Sequence, residues 1–138
     1  MSDLKKNRPQ PAVLDTIDKP TLVLGASLKP HRTSYVAVNM LRQNGHTVYA
    51  LGGRIGMIHG VQVERATPEA QLPEVHTVSL YMNEQRQAPF IDFILGLRPR
   101  RIIFNPGAEN EILFQKAKEA GIEVKEACTL VMLNFRQF

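Results

Sequence analysis

Short apolar runs alternating with helix-like segments predict an α/β domain: a parallel sheet, doubly wound, with helices on both faces in three layers. Three observations carry that prediction. The runs at 21–24, 46–51, 75–82 and 101–104 are short, β-prone and largely unbroken by charge, as strands buried on both faces are. Between them lie segments of helical period, opened by capping residues and stopped by Asn or Gly. The chain of 138 residues is long enough for one such domain to bury about two-thirds of its unfolded surface.

Residues 1–16 are polar, hold Pro9 and Pro11 and lack sustained period, so they read as an N-terminal arm, with one docked turn expected at 12–17. The domain proper spans 17–138. Thr21-Leu22-Val23-Leu24 is its first strand, closed by Gly25. A loop follows, then a helix capped by Thr33 or Ser34 with Ala37, Val38 and Leu41 on its apolar face, ending near Asn44-Gly45. His46 to Leu51 is the second strand and runs into Gly52-Gly53, completing a right-handed βαβ unit. The stretch 58–63 supplies at most a short edge strand. Thr67-Pro68-Glu69-Ala70 pairs a cap with a first-turn proline and an acid, which predicts a short helix.

Val75 to Met82 is the next strand. Pro89 belongs in the first turn of the following helix, since an interior proline costs about 3 kcal/mol. Arg101 to Phe104 is a further buried strand. Residues 109–120 form a helix stopped by Gly121, 122–124 a last strand, and 128–135 a terminal helix or turn. The expected spatial order is 3-2-1-4-5, with room for a sixth strand: a Rossmann-like, doubly wound single domain. Ligands bind such sheets at the carboxyl ends of the strands, where strand order reverses. The loops after Leu24, Leu51, Leu80 and Phe104 are therefore the ones that matter.

Composition narrows the function classes. Hydrophobic residues make up 43% and charged residues 22%, which excludes a disordered or fibrous chain. No run drawn only from apolar residues exceeds four, as at 130–133, so neither a membrane span nor a secretory leader is expected, and the expected compartment is the cytoplasm. The lone Cys128 permits no internal disulfide. It reads as a small hydrophobe; the alternative is a reactive thiol. A net charge of +4 attracts polyanions, yet Lys and Arg gather into no stripe and Trp is absent, which argues against nucleic acid and for a phosphorylated small molecule.

The loop after the first strand can receive a phosphate. Gly25 permits a sharp turn, Ser27 offers a hydroxyl, and the helix behind it presents backbone N–H groups and a positive dipole end. Gly and Ser are also ordinary turn residues. The loop departs from the dinucleotide fingerprint G-x-G-x-x-G, with Ser27 in the second glycine position and Pro30 in the last. No acid closes the second strand for an NAD ribose. Leu51-Gly52-Gly53-Arg54 stands there instead: two glycines admit a close ligand and Arg54 can pair with a ribose phosphate, which points to coenzyme A or NADP. An exposed arginine without a ligand is the plainer reading.

These residues resemble a known family. Gly25-Ala26-Ser27, Pro30, Arg32, Ser34 and Tyr35 look like the G-A-S-x-x-P-x-R-x-S-Y opening of the small CoA-binding proteins, themselves similar to the CoA-binding domain of the succinyl-CoA synthetase alpha subunit. Phe104-Asn105-Pro106-Gly107-Ala108-Glu109-Asn110-Glu111 and 119–124 are similar to that family's Q-x-G turn, helix and last strand, and Cys128 matches a Cys near its end. The likeness covers about residues 17–136. It implies that Gly25, Ala26, Ser27 and Lys29 meet the CoA phosphates, with Pro30, Arg32 and Ser34 in the same motif. It places Gly52, Gly53 and Arg54 near the adenosine, and Tyr81, Met82, Asn105, Pro106 and Gly107 along the pantetheine arm. The chain departs from the family at Leu51-Gly52, where an N-P pair is usual, and at Asn105, where the family has Gln.

No catalytic set is visible. His31, His46, His59 and His76 show no metal spacing with Cys or acids, and no nucleophile elbow occurs. The ligases that resemble this domain need further domains for which 138 residues leave no room. The expected function is non-catalytic binding of coenzyme A or an acyl-CoA as carrier, sensor or regulator, with a homodimer or a separate enzyme subunit as possible partner. The alternatives are an NADP- or nucleotide-binding redox module, and a degenerate scaffold acting only through protein partners.

Overall fold

The computed structural model describes residues 17–138. The expected arm at 1–16 and the turn at 12–17, apart from an exposed Ile17, lie outside the described residues. In chain order the elements are β1 (Thr21–Ala26), α1 (Thr33–Gln43), β2 (Val48–Gly52), β3 (Gly56–Ile58), β4 (Val61–Arg65), β5 (Thr77–Leu80), α2 (Glu84–Gln87), α3 (Ile91–Gly96), β6 (Arg101–Phe104), α4 (Glu111–Glu119), β7 (Glu123–Glu126) and α5 (Thr129–Asn134). A 3-10 turn, Ala88–Phe90, joins α2 to α3 and carries Pro89 at its start, where a missing N–H costs nothing.

The sheet has seven strands in the order β3-β4-β2-β1-β5-β6-β7. All neighbours are parallel except β3 and β4. Strand direction from β1 thus winds outward both ways, and the reversal falls between β1 and β5, as expected for a doubly wound sheet. The period-two alternation of the strands feeds two cores. Leu22, Leu24, Tyr49, Leu51, Val78, Leu80, Ile102 and Phe104 point to one face, covered by α3 and α4 through Ile94, Leu113 and Ala117. Val23, Ala26, Val48 and Ala50 point to the other, covered by α1 and the chain end through Val38, Leu41 and Leu133. Each fully buried aliphatic side chain contributes about 1.5–3 kcal/mol, so these central strands dominate the stability.

Three expectations need correction. The stretch at 58–63 is a β-hairpin, not a single edge strand: His59 (φ +46°) and Gly60 (φ +86°) make a two-residue turn of the primed kind that matches strand twist. The predicted helix at Thr67 is a single turn. Thr67 Oγ1 accepts from the Glu69 N–H (3.1 Å) and the Thr67 carbonyl from the Ala70 N–H (3.2 Å), and Pro73 has no N–H with which to extend it. Neither Thr33 nor Ser34 caps α1. Arg32 holds the N-cap position without a side-chain bond, because the Ser34 hydroxyl turns back to accept from the Ser27 N–H at 3.0 Å. Among the described residues no helix is long and apolar enough to cross a membrane.

Candidate functional site

The carboxyl ends of β1, β2, β5 and β6 share one rim of the sheet. On it β1 and β2 approach unusually closely. The ladder from Thr21↔Val48 to Leu24↔Leu51 slips at Gly25, so that Ala26 pairs with Gly52. Gly25 absorbs this bulge with φ +99°, and a Cβ there would sit 3.0 Å from the backbone of Tyr81 and Met82 just past β5. A Cβ on Gly52 would stand 2.0 Å from the Ala26 carbonyl oxygen. The protein's own backbone therefore demands both glycines. Gly53 is different: it is exposed, its φ is ordinary, and nothing lies within 4 Å of its missing Cβ.

The β1–α1 loop is held by its own hydroxyls. Ser34 accepts from the Ser27 N–H, and the Ser27 Oγ accepts from the Lys29 N–H at 3.1 Å. The Leu28 side chain packs onto Gly56, tying the loop to β3. The first intrahelical bond of α1 runs from the Val36 N–H to the Arg32 carbonyl, so Thr33, Ser34 and Tyr35 keep N–H groups that the helix leaves without an acceptor. No acid lies in that first turn, whereas Lys29, His31 and Arg32 are exposed around it. Such a helix start is electropositive and suits a phosphate. Arg54 is exposed just beyond β2. Arg65, which the sequence reading missed, joins it there, since the register sets Arg65 opposite Gly52 and Ala66 donates to the Gly52 carbonyl at 2.8 Å.

The β5–β6 end is built differently. Asn105 is buried and spends its whole amide inside the protein: Nδ2 donates to Ser79 Oγ and the Leu80 carbonyl, both at 2.9 Å, and Oδ1 accepts from the Thr129 N–H at 2.8 Å. It clips β5, the turn after β6 and the start of α5 together. The Asn105 side chain thus positions the rim through bonds made inside the protein. Gln87 was also missed. Buried on α2, it donates to the Met82 and Ala108 carbonyls at 2.8 and 2.7 Å and accepts from Asn110 Nδ2 at 2.9 Å. Asn110 in turn caps α4 through the Leu113 N–H.

These bonds present Pro106 and Gly107, both exposed, beside Tyr81 and Met82. Among the described residues the buried Tyr81 hydroxyl makes no hydrogen bond, and burial pushes its phenol up to about 12. Cys128 is half-buried at the N-cap of α5. Of the sequence-predicted residues, Gly25, Ser27, Lys29, Pro30, Arg32, Gly53 and Arg54 line or flank the β1–β2 part of the rim. Ala26, Ser34 and Gly52 lie buried beneath it, and Tyr81, Met82, Pro106 and Gly107 form the β5–β6 part.

A doubly wound, mostly parallel sheet with helices on both faces defines the Rossmann-like class of α/β domain. The particular family follows from comparison. The profile described as CoA binding domain matches residues 19–134, and the chain belongs to that family. The crystal structure of an uncharacterized protein superposes with a TM-score of 0.80 at 39% identity, covering 89% of this chain and 100% of that one. A Thermus thermophilus structure, cell-free ID.343, gives 0.76 at 23% identity, with 88% and 91% covered. A hypothetical protein from Pyrococcus horikoshii OT3 gives 0.75 at 19%, with 87% and 84% covered. These last two likenesses concern the fold alone. Comparison with curated proteins returned no significant match.

Proposed function

We propose that this protein binds coenzyme A or an acyl-CoA without transforming it, holding the phosphates at the Gly25-Ala26-Ser27 loop and the start of α1. The observation that carries the reading is the uncapped, acid-free first turn of α1 ringed by Lys29 and Arg32, in a chain whose family is the CoA binding domain. Two backbone-lined places for anions are needed, a diphosphate site and a site for the ribose 3′-phosphate. Thr33, Ser34 and Tyr35 N–H groups with Lys29 suit the first; Arg54 and Arg65 beside open Gly53 suit the second. The chemistry that CoA supplies is its thiol, and the protein's part is to hold and orient it.

The test is ligand ranking by thermal shift and calorimetry. CoA raises the melting temperature more than dephospho-CoA or NADP, and at 100 times its Kd it adds about 2.7 kcal/mol of stability. Arg54→Ala weakens CoA more than dephospho-CoA. A preference for NADP transfers the site to redox chemistry, and silence to all three ligands refutes the reading.

A further inference from the structure

The amino ends of the strands, opposite the rim, hold cations that the CoA reading does not use. Register sets Thr21, Thr77 and Arg101 in one row across β1, β5 and β6. Arg101 is only 6% exposed. Its Nε donates to Thr77 Oγ1 at 2.8 Å, while among the described residues its buried Nη2 has no partner. The guanidinium lies 4.1 Å from the ring centroid of Phe138, and buried His46 meets the same ring at 5.0 Å between centroids. Lys19 Nζ donates to the Phe138 main-chain oxygen. The charges acting on this cup are Lys19, Arg100 and Arg101 against Asp18 and Glu123. Both acids are engaged elsewhere: Asp18 accepts from the Thr47 N–H (2.7 Å) and hydroxyl (2.6 Å), and Glu123 lies 3.7 Å from Lys125. Among the described residues neither Lys19 nor Arg101 forms an ion pair. Burial and the same cations hold His46 and His76 below their ordinary pKa, so neither ring adds charge at neutral pH.

We propose that this cup is a second ligand site, independent of the rim, which takes an aromatic ring joined to a carboxylate and is filled here by Phe138. The ring replaces that of Phe138 against the Arg101 guanidinium, which stacks on aromatic faces. One carboxylate oxygen replaces the main-chain oxygen on Lys19, and the other is the acceptor that Arg101 Nη2 lacks. A buried guanidinium without an anion is costly, so a charge-assisted bond at this place gains more than one at a solvated surface. Phe138 holds the cup under strain: the chain reaches it through Arg136 at φ +54°, a left-handed conformation unfavourable for a residue with a Cβ. A free ligand with the same ring carries no such strain.

Calorimetric titration of the full chain and its Phe138→Ala variant with N-acetylphenylalanine, its uncharged amide and N-acetyl-Gly-Gly-Phe tests this. Phe138→Ala should bind the acid about tenfold or more tightly than the parent, because the tethered occupant no longer competes. In that variant the amide should bind about tenfold more weakly than the acid, and adding Lys19→Gln should bring the two within about threefold. The tripeptide separates two sources of the same chemistry: affinity within about threefold of the acid admits polypeptide ends, and a loss of about tenfold restricts the site to free aromatic acids, either result supporting it. In the parent, which needs no substitution to fold, millimolar acid should move the amide signals of Lys19, His46, Arg101 and Phe138 as the ring is displaced. Equal binding of acid and amide by Phe138→Ala, signals moving at Ser27, Lys29 and Gly53 instead, or no signal moving in the parent and no heat in the variant, overturns the proposal.

Discussion

Replacing Asn105 with alanine removes three hydrogen bonds that join β5, the turn after β6 and α5. The consequences differ by partner. The Leu80 carbonyl still accepts from the Asn105 backbone N–H (3.3 Å), and the Ser79 and Thr129 hydroxyls still bond each other at 2.8 Å. The Thr129 N–H is left buried with no acceptor, which costs about 1–3 kcal/mol, and the emptied amide volume adds roughly 1 kcal/mol. A loss of about 2–4 kcal/mol is expected, and at roughly 4 °C per kcal/mol for a domain of this size the melting temperature falls by about 8–16 °C. Urea denaturation followed by circular dichroism measures it, and Ser79→Ala with the double variant isolates the coupling, expected at about 0.5–3 kcal/mol. A loss below about 0.5 kcal/mol, or strict additivity, would show that the clip described here does not hold the rim together.

Gly52→Ala should destabilise by about 3 kcal/mol or more in the same assay, because its Cβ meets the Ala26 carbonyl at 2.0 Å, whereas Gly53→Ala should stay within about 0.5 kcal/mol. Stability should also depend on His46. Its Nδ1 accepts from the Lys19 N–H at 3.0 Å, and burial lowers its pKa to about 4, so the folded state requires the neutral ring. A folded pKa below the unfolded value of about 6.5 means this stability is present above 6.5 and is lost as pH falls towards 4, a slope that His46→Gln should flatten in denaturation measured across that range. If the basic rim meets phosphates, CoA affinity should fall as salt rises from 50 to 500 mM, about the range over which screening of exposed charges becomes strong, and Lys29→Ala should reduce that dependence.

The parallel strands were legible because burial on both faces leaves runs such as Thr21-Leu22-Val23-Leu24 without alternation. The β3–β4 hairpin was not, since a three-residue strand shows no period and His59-Gly60 is an uncommon pair for its turn. That gap also hid Arg65, which only the pairing with Gly52 brings to the rim. In the sequence Gly25 reads as a turn residue and Gly52 as room for a ligand, yet the convergence of β1 on β2 and β5 already demands both. Ser34 illustrates the same limit. Its place before an apolar helical stretch matches a cap, and the direction of its hydroxyl depends on the Ser27 amide seven residues earlier. Long-range polar commitments, as at Asn105 and Gln87, leave no local pattern in the chain.

Amide chemical shifts recorded while CoA is titrated into the labelled protein test the central claim most directly. The largest changes should fall on Ser27, Lys29 and Thr33 to Tyr35, on Gly53 and Arg54, and on Gly107, along one rim of the sheet. Changes centred on His46, His76 and Arg101 at the opposite ends of the strands, or no changes at all, would contradict it.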